Sequence, residues 1–114
     1  MKEYLILFRE PDGRTEPHAE DAIANHQQNW KAWITRMQQS GNLLGGKALT
    51  LNGAVIHEAN GNFNVIDGPY YKTDKEIVGG YLIMQATDLP EVTSLIKSCP
   101  VFELDGFAEI REMM

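Results

Sequence analysis

The sequence predicts an α+β domain: a ferredoxin-like antiparallel sheet with two helices on one face and an added hairpin, its other face covered by a second copy. Three observations lead there. Strand and helix patterns alternate in the order β-α-β-hairpin-β-α-β. An Asn60-Gly61 pair marks the hairpin turn, because a two-residue turn of this type needs positive φ at both positions. Residues 4–8 and 81–84 are apolar at odd and even positions alike, whereas a strand wetted on one side should alternate. Two helices cover only one face of such a sheet, and a second copy of the same sheet is the simplest cover for the other. The plainer reading of those residues is aliphatic filling on the open face of a monomer.

The elements follow in order. Residues 4–8 form an apolar run closed by Pro11-Asp12-Gly13, a strand and its turn. The spacing predicts a helix over 17–40, with Pro17 in its first turn and Glu16, Glu20 and Asp21 at its positive end. Its apolar stripe is Ala19, Ala22, Ile23, Trp30, Trp33, Ile34 and Met37, and Gly41-Asn42 stops it. Residues 43–51 read as the second strand. Closing the hairpin at Asn60-Gly61 pairs Ile56 with Val65 and His57 with Asn64. A loop at Asp67-Gly68-Pro69 leads to a strand over 77–86. Asp88, with Glu91 three residues on, caps a second helix that buries Val92, Leu95, Ile96 and Cys99 and ends before Pro100. Residues 107–112 form the last strand. No repeat or linker divides the 114 residues, so they read as one domain, 1–114.

Composition narrows the function. Hydrophobic residues make up 43% and charged residues 23%, which fits a folded chain rather than a disordered one. A formal net charge of -6 argues against nucleic acid, whose phosphates call for a basic face. Cys99 stands alone, which excludes an intrachain disulfide and a thiolate zinc cluster, and the three histidines are dispersed, so no metal is expected. The first residues regain charge too soon for a signal peptide, and no apolar run is long enough to span a bilayer. A cytoplasmic protein with no membrane partner is the expectation. No phosphate loop, dinucleotide fingerprint or nucleophile elbow is present, so no cofactor is expected.

Asp67-Gly68-Pro69-Tyr70, followed by Lys75-Glu76-Ile77-Val78-Gly79-Gly80-Tyr81, resembles the signature of the YCII-related (DGPF-motif) proteins. Leu44-Gly45-Gly46-Lys47-Ala48-Leu49, Asp88-Leu89, Cys99-Pro100 and Glu109-Ile110-Arg111 match further landmarks of that family, so the likeness runs over nearly the whole chain. The resemblance implies a sheet that dimerises face to face into an α/β barrel, with a pocket holding a histidine of the first helix and the aspartate of the motif, here His26 and Asp67. Related dimeric barrels carry out isomerisation, lactone chemistry and elimination, mostly without cofactors. Genes of the family often lie beside those of alternative sigma factors. Two departures bear on the pocket rim: Tyr70 replaces the usual Phe, and the segment from Tyr70 to Thr73 is one residue longer and lacks an acidic residue.

The candidate residues carry a functional and a structural reading each. His26 falls within the apolar stripe, four residues after Ala22 and four before Trp30, and an adjacent carboxylate would fix its tautomer and raise its basicity. Structurally it is a core histidine held by one hydrogen bond. Asp67 either orients His26 or caps backbone N–H groups of its own turn. Glu109 and Arg111, two apart on the last strand, either pair with each other or across a dimer, or contact a polar ligand. Tyr70 and Tyr81 would line the same pocket. Trp30 and Trp33 read as core, since no basic residues are interleaved with them. The expected function is a homodimer that binds a small molecule, with His26 and Asp67 as a general acid–base dyad for cofactor-independent proton transfer. The rival is a non-catalytic ligand-binding or protein-interaction module, linked in one form to sigma-factor regulation.

Overall fold

The computed structural model describes residues 1–72 and 75–114, so the predicted lengthening of the segment up to Thr73 falls partly outside the described residues. The amino-terminal apolar run becomes β1 (Lys2–Glu10), and α1 spans Glu20–Gln39. β2 (Leu43–Ala48), β3 (Ala54–Ala59), β4 (Asn62–Asp67) and β5 (Ile77–Ala86) follow. α2 (Leu89–Lys97), a 3-10 helix at Pro100–Leu104 and β6 (Phe107–Glu112) complete the chain. Four strands pair antiparallel in the order β2-β5-β1-β6, the ferredoxin-like arrangement, while β3 and β4 form a separate two-stranded sheet.

Alternation of side chains across the pleat sorts the central strands into two faces. Tyr4, Ile6 and Phe8 of β1 and Leu82, Met84 and Ala86 of β5 are buried beneath Trp33 and Met37 of α1 and Val92 and Ile96 of α2. Leu5, Leu7, Tyr81 and Ile83 pair across β1 and β5 on the other face and stay half-exposed. The helices therefore cover one face only, as the element order implied.

The local signals at α2 and the hairpin act as read. Asp88 accepts the Glu91 backbone N–H at 3.0 Å and caps α2. Asn60 and Gly61 adopt φ of 53° and 81°, and the register pairs Ile56 with Val65 and His57 with Asn64. Gly68 N–H closes the hairpin base on the Gly53 carbonyl at 2.8 Å.

Three expectations are corrected. α1 begins at Glu20, not at Pro17, because Asp12 organises the preceding loop: its side chain accepts the backbone N–H groups of Arg14 and Glu16, and its carbonyl that of Thr15. Ala19, Ala22 and Ile23 lie exposed rather than in the core, since the amino-terminal turns of α1 project into solvent and its packing begins with His26 on Glu103 and Trp30 on Phe8. β2 ends at Ala48 rather than at residue 51; after Leu49 N–H bonds to the Gly79 carbonyl at 2.8 Å the chain departs for the hairpin. No helix among the described residues is long and apolar enough to cross a membrane.

Replacing Asp88 with Ala orphans the Glu91 amide at the start of α2 and should cost about 1 kcal/mol of stability. Urea unfolding should report it as a lower midpoint with an unchanged slope.

Candidate functional site

A cleft of about 630 Å³ opens between α1, the β1–α1 loop, the 3-10 helix and the edge formed by β2 and β5, a volume in the range of small-molecule sites. Phe8, Trp30, Ile34 and Leu104 give it an apolar wall. The Trp30 ring stands edge-on to Phe8 at 5.0 Å and to Trp33 at 5.8 Å, so its position is fixed by packing.

Glycines make the floor. A Cβ on Gly79 would overlap the Glu10 carboxylate, one on Gly80 would press on the Lys47 carbonyl at 3.1 Å, and one on Gly46 would collide with Tyr81 and Leu82. Glu10 occupies the space Gly79 leaves and binds Arg14, whose Nε and Nη2 donate to its oxygens at 2.9–3.1 Å. Nη2 also donates to the Gly79 carbonyl at 3.1 Å. The hydrogen bond to Glu10 raises the pKa of Arg14 above its ordinary value. Arg14 holds φ of 66°, a conformation a side chain adopts at a cost, at the rim of the cleft.

At the opposite end His26 sits in a chain of hydrogen bonds. Its Nδ1 lies 2.9 Å from Glu103 Oε1, and Trp30 Nε1–H donates to its Nε2 at 3.0 Å. Asn29 Nδ2 donates to the other Glu103 oxygen at 2.9 Å. An indole nitrogen only donates, so Nε2 must be the acceptor, and Nδ1 then carries the proton offered to Glu103. The tautomer is thereby fixed.

The predicted residues separate. His26 and Tyr81 line the cleft, although the register places the Tyr81 side chain on the open face with Leu7. The carboxylate that meets His26 is Glu103 of the same chain. Asp67 is the exposed last residue of β4 at the hairpin base and is not among the residues lining the cleft. Tyr70 is exposed beside a shallower depression with Pro69, Ile56 and Val78. Glu109 and Arg111 lie on the open face, where Glu109 accepts from Arg9 at 2.9 Å and from Arg111 at 3.4 Å. Arg9 also approaches Glu76 at 3.5 Å. Among the described residues no three His, Cys, Asp or Glu side chains are grouped to hold a metal ion. Burial pushes the Cys99 thiol up to about 12, which removes it as a nucleophile at neutral pH.

Glu103, Arg14 and the hydrogen-bonding part played by Trp30 escape the sequence reading. Cys99-Pro100 was read only as the end of α2. A proline also suits the first position of a new helix, and here it opens the 3-10 helix that carries Glu103.

The strand order and the cleft beside α1 define a ferredoxin-like α+β domain with one covered and one open sheet face. The chain belongs to the YCII-related domain family, whose model matches residues 4–114. Among solved structures it is similar to 5-chloro-2-hydroxyhydroquinone dehydrochlorinase from Burkholderia phenoliruptrix in complex with 2,5-dihydroxybenzoquinone. The TM-score is 0.56 at 16% identity, over 98% of this chain and 93% of that one, a likeness of fold. A search of curated protein sequences found no match.

The Arg9 hydrogen bond holds the Glu109 carboxyl below its ordinary pKa. A lowered native pKa stabilises the fold above the ordinary carboxylate range, and that contribution disappears as pH falls through the native value. Denaturation measured from neutral pH to below about pH 4 should therefore show Glu109→Gln losing less stability on acidification than the wild type.

Proposed function

We propose that this protein is one subunit of a homodimer that takes a compact, ring-bearing small molecule into the cleft and moves a proton on it. His26 is the acid–base group and Glu103 its orienting carboxylate. The observation that carries the reading is the Trp30–His26–Glu103 chain of hydrogen bonds, set in the wall of a cleft of about 630 Å³. Such a carboxylate holds the imidazole in one orientation and one tautomer. The apolar wall suits a flat ring, and the polar groups at the two ends suit its oxygen substituents. The structurally similar dehydrochlorinase binds 2,5-dihydroxybenzoquinone, a ring of this kind, which supports the reading by analogy of fold. The chemistry calls for no cofactor.

Exposed apolar surface supports the dimer. Leu5, Leu7 and Ile83 are half-open on the uncovered sheet face. The hairpin exposes Ile56 at 62%, Phe63 at 73% and Val65 at 58%, although an isolated two-stranded hairpin is marginal in water without a surface to pack on. In this reading a second copy covers both. Asp67 travels with the hairpin and is presented to that copy, while His26 takes its carboxylate from its own chain.

One observation favours a non-catalytic binder instead. Both ring nitrogens of His26 are already engaged, so its Nε2 reaches a ligand only after the indole lets go.

Light scattering at micromolar concentration should give twice the mass of the chain; a monomer mass would remove the dimer. Titration with a panel of hydroxylated aromatic rings, followed by NMR, should shift resonances of His26, Trp30 and Arg14 together, and a panel that moves none of them would sink the cleft as a binding site. Turnover abolished by His26→Ala and reduced by Glu103→Gln, with binding retained, selects the enzyme over the binder.

A further inference from the structure

Resting on the reading of the cleft as a small-molecule site, the geometry points to the class of group its ligand must present at His26: a hydrogen-bond donor, such as the hydroxyl of a phenol or enol, and not a carbonyl or carboxylate oxygen. The argument runs through both ring nitrogens. Glu103, held on its second oxygen by Asn29, receives the Nδ1 proton, so the other ring nitrogen, Nε2, is left as an acceptor. Trp30 Nε1–H fills that acceptor at 3.0 Å in the absence of ligand. A ligand atom that reaches Nε2 takes the place of an N–H donor. Only a donor fills Nε2 again; an acceptor oxygen there would set its lone pair against the ring nitrogen's and leave Nε2 unpaired.

Trp30 is then a positioning residue. Its ring packs edge-on against Phe8 and Trp33, and its N–H holds the imidazole in one tautomer until a ligand hydroxyl takes its place on Nε2. If the bound hydroxyl is acidic, its proton passes to Nε2, the ligand keeps the electron pair as an oxyanion, and the Nδ1–H remains bonded to Glu103. Atoms and charge balance without a further reactant.

The test compares para-methoxyphenol with para-dimethoxybenzene, rings of the same shape that differ in one donor, and adds benzoate as a ring bearing only acceptors. With the wild-type protein, para-methoxyphenol should displace the Trp30 indole N–H and His26 Nε2 resonances. Its hydroxyl takes the place of the indole on Nε2, one bond exchanged for another, so its affinity should stay within about threefold of the dimethoxy ring's. Trp30→Phe removes the competing donor, so its affinity for para-methoxyphenol should rise by up to about tenfold while that for the dimethoxy ring stays level. Binding of para-methoxyphenol with the indole resonance unmoved, or displacement of the indole by benzoate, overturns the donor rule and leaves the cleft standing as a binding site. If no ring shifts any cleft residue, the donor rule falls together with the reading it rests on. The wild-type comparison decides the matter even if the variant fails to fold.

Discussion

Helix α1 is seated on the sheet by Trp33, which is fully buried and donates its indole N–H to Ser98 Oγ at the end of α2 at 3.0 Å. An indole is large enough to anchor a helix, but burying it requires a partner for its N–H. Ser98 supplies that partner and in turn donates to the Leu95 carbonyl at 2.8 Å, so both helices are tied at one point over the covered face. From this anchor the rest of α1 is determined by helical geometry. Trp30, less than a turn earlier, packs against Phe8 at the last covered stretch of β1. His26 comes one turn before that and is half-buried, and the turns ahead of it are exposed. The cleft opens beside this stretch of α1, with His26, Trp30 and Ile34 in its lining.

This explains which features were legible in the sequence. Signals that act within a few residues were read correctly: the Asn60-Gly61 turn set the hairpin register and Asp88 capped α2, because in each case the deciding bond is local. The lack of alternation in β1 and β5 called for cover on both faces of the sheet, and the two helices supply it on one. The errors arose where a local pattern competes with tertiary placement. Ala19, Ala22 and Ile23 continue the apolar stripe of α1, yet periodicity says which side of a helix is apolar and not how far the sheet beneath it extends. The start of α1 was lost to Asp12, whose side chain and carbonyl hold three backbone N–H groups in a turn before the helix can begin.

The site was half legible. His26 was singled out by its place in the stripe, and it does line the cleft. Its carboxylate partner lies 77 positions further along, on a 3-10 helix too short to carry a periodic signal. Asp67 drew attention through its motif, but the hairpin that ends with it forms its own sheet, apart from the strands that floor the cleft. Glu109 and Arg111 were placed on one strand face with the right plain pairing; that face is the open one, and Arg9 from the neighbouring strand makes the shorter bond.

The double glycine has a physical account that ties the far end of the cleft to the fold. Gly79 lacks a Cβ because Glu10 occupies that volume, and Glu10 is there to bind Arg14. Arg14 follows Gly13, and both hold positive φ, of 66° and 60°, which brings the β1–α1 loop back against the strand edge. A Cβ on Gly13 would strike the Lys75 carbonyl, so this loop and the entry to β5 meet backbone to backbone. A left-handed conformation at a residue with a side chain costs about 1 kcal/mol or more. The hydrogen bonds from Arg14 to Glu10 and to the Gly79 carbonyl offset that cost, because charge-assisted bonds are stronger than neutral ones. The glycines, the strained arginine and the ion pair thus form one device, each part tolerable only with the others, and together they hold the rim of the cleft opposite His26.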